Sequence, residues 1–140
     1  MSKVAVVYWS GTGNTQIMAD AVEEGIRGKG GEAVMMGPEA FSAKDVASYD
    51  AIAFGCPAMG AEVLEEAEYQ PMWDDVKGSL SGKKIALFGS YGWGDGEWMR
   101  TWEDEARSCG ADLVVDCVMA NNEPDDEAKE ACRNLGAALV

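Results

Sequence analysis

The stretch Val4-Ala5-Val6-Val7-Tyr8-Trp9-Ser10-Gly11-Thr12-Gly13-Asn14-Thr15 constrains this chain more than any other. Its first half is rich in β-branched and aromatic residues, the pattern of a buried strand. Its second half is a turn of Ser, Thr, Asn and two glycines. A helical pattern follows at once, with Ile17, Met18, Ala21, Val22, Gly25 and Ile26 roughly on one face. Strand, polar turn and helix start together present backbone N–H groups to an anion. The first N–H groups of a helix lack internal partners, and the helix dipole adds partial positive charge there.

A phosphate would fit such a cup. Gly11 and Gly13 would let the backbone approach closely and adopt positive φ. Ser10, Thr12, Asn14 and Thr15 could add side-chain donors. No Lys or Arg lies between Lys3 and Arg27, so the cup would work by oriented dipoles. The Walker A spacing is absent, and G-x-G-x-x-G fails because Ile17 stands where its last glycine would be. The same residue types favour any strand-to-helix turn, so the stretch alone leaves a phosphate cup and an ordinary turn both open.

Composition removes several function classes. The chain has 140 residues, which predicts one domain over 1–140, and a net charge of −14 from 25 acids and 11 bases. Such acidity argues against nucleic acid, which is held by Lys and Arg; by itself it fits a role in solubility, with a basic protein partner as the other reading. There is no histidine, which removes His-based acid–base catalysis and His-ligated metal or haem. Cys56, Cys109, Cys117 and Cys132 form no C-x-x-C pair and read as small buried thiols. No run is apolar enough to cross a bilayer, and Met-Ser-Lys-Val leads straight into the first strand, which predicts a cytoplasmic protein without a secretory signal.

The remaining chain alternates. Strands are predicted over 32–36, 50–56, 83–90 and 113–118, with a short polar segment over 41–49. Met72, Trp73, Val76 and Leu80 predict a helix after Pro71. Trp98, Met99, Trp102, Ala106 and Cys109 predict another. A last helix runs through Cys132 and Leu135, with Pro124 near its first position. The strands are apolar throughout rather than alternating, which signals a parallel sheet covered by helices on both faces. Ligands of such sheets sit outside the carboxyl ends of the strands.

The loops at that edge are distinctive. After the third strand comes Pro57-Ala58-Met59-Gly60-Ala61-Glu62, where Met59 could tuck into the core or face a flat ligand. After the fourth comes Ser90-Tyr91-Gly92-Trp93-Gly94-Asp95-Gly96, where Trp93 could close over the core or stack on a ring system. Asn121-Asn122 follows the fifth, with a helix-capping or a ligand-donating reading. No base lies between Lys44 and Lys77, nor between Lys84 and Arg100, whereas Lys3, Arg27, Lys29, Lys83 and Lys84 sit near strand starts. The ligand edge is therefore expected to be acidic and the opposite edge basic.

Tyr8 to Thr15, Gly55 to Gly60, Leu87 to Gly96 and Asn121 to Asp125 closely resemble the short-chain flavodoxins of anaerobic bacteria. The resemblance covers nearly the whole chain. It implies a doubly wound five-stranded sheet in the flavodoxin order 2-1-3-4-5, with FMN at the switch point between strands one and three. It implies that Ser10, Gly11, Thr12, Gly13, Asn14 and Thr15 hold the FMN phosphate. Met59 and Trp93 would sandwich the isoalloxazine, and Glu62 would accept from flavin N3–H. Gly60 would turn its carbonyl to N5–H in the semiquinone. Pro57, Ala58, Ser90, Tyr91, Gly92, Gly94 and Asn122 would be further contacts. Ala61 departs from the polar residue common after the flipping glycine, which bears on semiquinone stability and not on FMN binding.

The function so implied is a low-potential, one-electron carrier that stands in for ferredoxin and docks on basic faces of redox enzymes, acting as a monomer. Two rivals fit less well. A small FMN-dependent NAD(P)H:quinone reductase needs a nicotinamide site, for which the edge loops hold no base. A signalling receiver domain needs a phosphoacceptor Asp, where the third strand ends in Gly55-Cys56.

Overall fold

The computed structural model describes residues 2–11, 13–59, 64–92, 94 and 96–140. Its elements are β1 (Lys3–Tyr8), α1 (Asn14–Gly28), β2 (Glu32–Met36), β3 (Ala51–Gly55), α2 (Tyr69–Val76), β4 (Lys84–Tyr91), α3 (Glu97–Ser108), β5 (Asp112–Leu113), β6 (Val118–Asn121) and α4 (Asp126–Ala138). All pairings are parallel, in the order β2-β1-β3-β4-β5, with β6 continuing beside β4. The expected order is observed.

Burial on both faces explains the unbroken apolar strands. Val4 and Val6 of β1 face α1 and α4, whereas Ala5 and Val7 face α2 and α3, all fully buried. In β3 the small Ala51 and Ala53 lie on the α1/α4 side, and the large Ile52 and Phe54 on the other. Small residues also close the gap between the two helices. A Cβ on Gly25 of α1 would lie 1.9 Å from the Arg133 carbonyl of α4, and one on Gly136 would lie 2.2 Å from the Val22 carbonyl. Gly25→Ala is therefore expected to push the helices apart and cost about 3 kcal/mol of stability. A urea midpoint equal to that of the unsubstituted protein would contradict this crossing.

Three expectations need correction. The fifth strand does not run unbroken over 113–118. Ile85 pairs with Leu113 but Phe88 with Val118, so Ala86 and Leu87 face four residues, 114–117. Val114 and Val115 both pack on the α1/α4 side while Asp116 is exposed, and a pleated strand cannot turn consecutive side chains to one face. Helix α2 begins at Tyr69, before Pro71, which is tolerated because a first-turn N–H has no helical acceptor. Pro124 precedes α4, whose cap is Asp125, with Oδ1 accepting from Ala128 N–H at 2.8 Å.

The parallel sheet places Lys3 and Lys84 at one edge, as expected. Glu32, Asp50 and Asp112 stand beside them, so that edge is mixed and not a positive pole. No helix among the described residues is long and apolar enough to cross a membrane.

Candidate functional site

The turn after β1 is closed from within. Ser10 Oγ accepts from the N–H groups of Gly13 (3.1 Å) and Gln16 (3.2 Å). Its lone pairs are thus engaged by the start of α1, and what it can offer a ligand is its hydroxyl proton. Gly13 caps α1 at φ 98°, where a side chain would be strained. Gly11 does not share that conformation. A Cβ there would meet the edge of the Trp9 indole at 3.0 Å, so a side chain at this position would press on that ring, and the constraint is close approach rather than positive φ.

Thr15 differs from its expected role as an open donor. It is almost fully buried, and its hydroxyl shares a 3.0 Å hydrogen bond with that of Ser90 at the end of β4, also buried. The pair ties the first turn of α1 to the loop that carries Tyr91 and Gly92.

The chain leaving β3 is held at Cys56, Ala58 and Glu65. Cys56 N–H donates to Phe88 O (3.2 Å) and Ala58 N–H to Ser90 O (3.0 Å), extending the pairing with β4. Trp98 Nε1–H donates to Cys56 O at 3.2 Å, and a Cβ on Gly89 would lie 2.2 Å from that oxygen. The Cys56 thiol accepts from Glu65 N–H at 3.5 Å. Burial pushes that thiol up to about 12, so it stays protonated and serves as a packed hydrogen-bonding group.

Glu65 has a role that its place in an acidic run did not announce. It is 8% exposed, and its carboxylate accepts from the N–H groups of Ala67 (2.9 Å), Glu68 (2.8 Å) and Tyr69 (2.9 Å). Burial raises its pKa, but these three bonds outweigh burial and hold it below the usual carboxylate range. Tyr69 in turn reaches across the sheet end and donates its hydroxyl to Val7 O at 2.7 Å. Trp9, Glu65 and Tyr69 were missed in the sequence. Only the position of Trp9, next to Ser10, could have drawn attention.

These elements enclose a cavity of about 180 Å³ at the carboxyl ends of β1, β3 and β4. It is lined by Trp9, Gly11, Asn14, Pro57, Ala58, Met59, Ser90, Tyr91, Gly92 and Asn122. Asn122 adopts φ 59° and donates its backbone N–H to Tyr91 O at 2.7 Å, so it closes the loop and does not cap a helix. Of the expected contacts, Ser10, Gly13 and Thr15, in and after the turn, and the exposed Gly94 are not part of the lining. Thr12, Gly60, Ala61, Glu62 and Trp93 lie outside the described residues.

The lining suits a flat, uncharged ring joined to a phosphate. Its walls are aromatic, thioether and small apolar groups, its polar atoms are amides and a hydroxyl, and no lining residue is a base. A larger hollow of about 310 Å³ between β6 and α4 carries Glu123, Asp125 and Glu127, which would repel a phosphate.

The comparisons agree with this geometry. The family model described as Flavodoxin matches residues 6–136. The chain is 44% identical over 137 residues to the flavodoxin of Megasphaera elsdenii, covering 98% of each chain. It is 43% identical over 135 residues to that of Clostridium beijerinckii, covering 96% of this chain and 97% of the relative. The solution structure of two-electron reduced Megasphaera elsdenii flavodoxin superposes with a TM-score of 0.89 at 43% identity, over 97% of each chain. Oxidised flavodoxin 1 of Bacillus cereus gives 0.86 at 28% identity, over 99% of this chain and 97% of that one. With the expected strand order, a cavity at the switch point and identity along nearly its whole length, the chain belongs to the flavodoxins, the electron-transfer proteins that hold FMN.

Proposed function

We propose that the cavity at the ends of β1, β3 and β4 holds FMN non-covalently and that the protein passes single electrons at low potential between redox enzymes. The observation that carries this reading is the cavity lining: aromatic and apolar walls, neutral polar atoms and no base. Bound FMN supplies a ring that takes up and releases one electron at a time. The residues present do the rest. The start of α1 directs its dipole at the phosphate, and Ser10 adds a hydroxyl proton. Trp9, Met59 and Tyr91 exclude water from the ring. Asn14 and Asn122 offer amide groups at its margins. Acidic surroundings in a chain of net charge −14 disfavour added negative charge on the ring, which lowers its potential. Thr12, Gly60, Ala61, Glu62 and Trp93 enter this reading with the roles their sequence positions imply.

Titrating cofactor-free protein into FMN is expected to quench the flavin fluorescence at micromolar concentrations. Fluorescence that stays unquenched there overturns the reading.

The partner face follows from charge. We place a basic surface of the partner enzyme against the acids around the ligand edge, among them Glu66, Glu97 and Glu123, all exposed. Encounter between such faces is steered and salt-sensitive. The association rate, measured by stopped flow, should fall by about tenfold or more between low and physiological ionic strength. A rate independent of salt contradicts this docking mode. Four free thiols suit a reducing cytoplasm, and the monomer is the carrying form.

A further inference from the structure

Aromatic side chains stand in series on the α2/α3 face, two ring contacts joined by one turn of α3. Tyr91 lines the cavity, and its ring lies 5.5 Å from that of Trp98. Trp98 and Trp102 are one turn apart on the buried face of α3, where such pairs are neighbours. Trp102 meets Trp73 edge-on at 5.7 Å and Tyr69 at 5.8 Å. Trp73 then donates its indole N–H to the carboxylate of Glu105, whose side chain is 40% exposed and pairs with Lys77 at 3.6 Å.

Core packing accounts for burying such rings. It does not account for how their polar hydrogens are disposed. Trp98 N–H meets a backbone carbonyl, that of Cys56, and Tyr69 O–H meets another, that of Val7. Trp102 N–H has no acceptor among the described residues. An aromatic ring that loses an electron becomes acidic at that hydrogen, but a carbonyl is a poor base and Trp102 has no base at all. Among the N–H and O–H groups of Trp98, Tyr69, Trp102 and Trp73, that of Trp73 alone meets a carboxylate. An oxidising equivalent can cross the inner rings without losing a proton and be trapped at the outer one.

We propose that Tyr91, Trp98, Trp102 and Trp73 form a relay that carries an oxidising equivalent from the cavity to Glu105 at the surface, so that the FMN-loaded protein is reduced by light. The proposal rests on FMN occupying the cavity. Photoexcited oxidised FMN is the oxidant and gains one electron. The vacancy passes along the rings to Trp73, whose N–H bond breaks as the proton moves to a Glu105 oxygen. A neutral indolyl remains. A thiol in solution returns a hydrogen atom to it and leaves as a thiyl radical, and Glu105 releases the proton to water.

The test is flash excitation of protein already shown to be saturated with FMN, read by transient absorption and electron paramagnetic resonance. A long-lived neutral indolyl is expected. Glu105→Gln keeps a hydrogen-bond acceptor but not a base, so the neutral indolyl should be lost and the charge pair should recombine quickly. Glu105→Asp should restore it. Trp73→Phe should also abolish the signal, with FMN affinity unchanged in every variant because neither residue lines the cavity. An undiminished signal in Glu105→Gln or Trp73→Phe overturns the relay and assigns the radical to a cavity tryptophan such as Trp9. So does the absence of any tryptophan radical in the unsubstituted protein.

Discussion

Replacing Glu65 with alanine is expected to lower the unfolding free energy by about 3 kcal/mol, because three N–H groups at the start of α2 lose a charged acceptor. Urea denaturation measures it, and a change within error of zero would mean that water serves those groups equally well. The same carboxylate makes stability depend on pH. Its folded pKa is depressed, so its contribution is fully present above the unfolded value of an ordinary glutamate. It falls away as pH drops through that value and is gone below the depressed folded one. In Glu65→Gln, that part of the acid-induced loss should vanish. Saturating FMN should recover part of the lost stability in both variants, since a ligand that binds only the folded state stabilises it. The Glu65 N–H that donates to the Cys56 thiol belongs to the backbone and is kept in both variants, so that tie to the chain leaving β3 should survive them.

Ser10→Ala is expected to weaken FMN binding by about 30-fold, equivalent to about 2 kcal/mol, while riboflavin binding changes several-fold less. The reason is the double use of one hydroxyl. Its oxygen holds the N–H groups of Gly13 and Gln16, and its proton is left for the phosphate. Riboflavin lacks that phosphate and feels only the loosened turn. Paired fluorescence titrations separate the two effects. Equal losses for both flavins would reduce Ser10 to a structural cap.

Much of the architecture was legible because it is written locally. An apolar run ending in Ser10-Gly11-Thr12-Gly13-Asn14 announces a buried strand, a turn and a helix start within fifteen residues, and the structure has β1 and α1 there. The absence of alternation in the strands announced a parallel sheet for the same reason, since each residue records its own burial. Nine of the ten residues lining the cavity stand among the contacts that the resemblance implied.

What escaped is non-local. Thr15 and Ser90 are 75 residues apart, and nothing in either segment says that their hydroxyls share one hydrogen bond. Glu65 reads as one acid in an acidic run until the fold buries it over three amides. The break in the fifth strand depends on its register against β4, which that strand does not encode by itself. Periodicity and turn chemistry, which act over a few residues, therefore determined most of the elements and the parallel sheet, while the strand order and the ligand came from the resemblance to flavodoxins. Tertiary structure decided which polar groups face the ligand and which face each other, since hydrogen-bond partners are chosen only when distant segments are packed together.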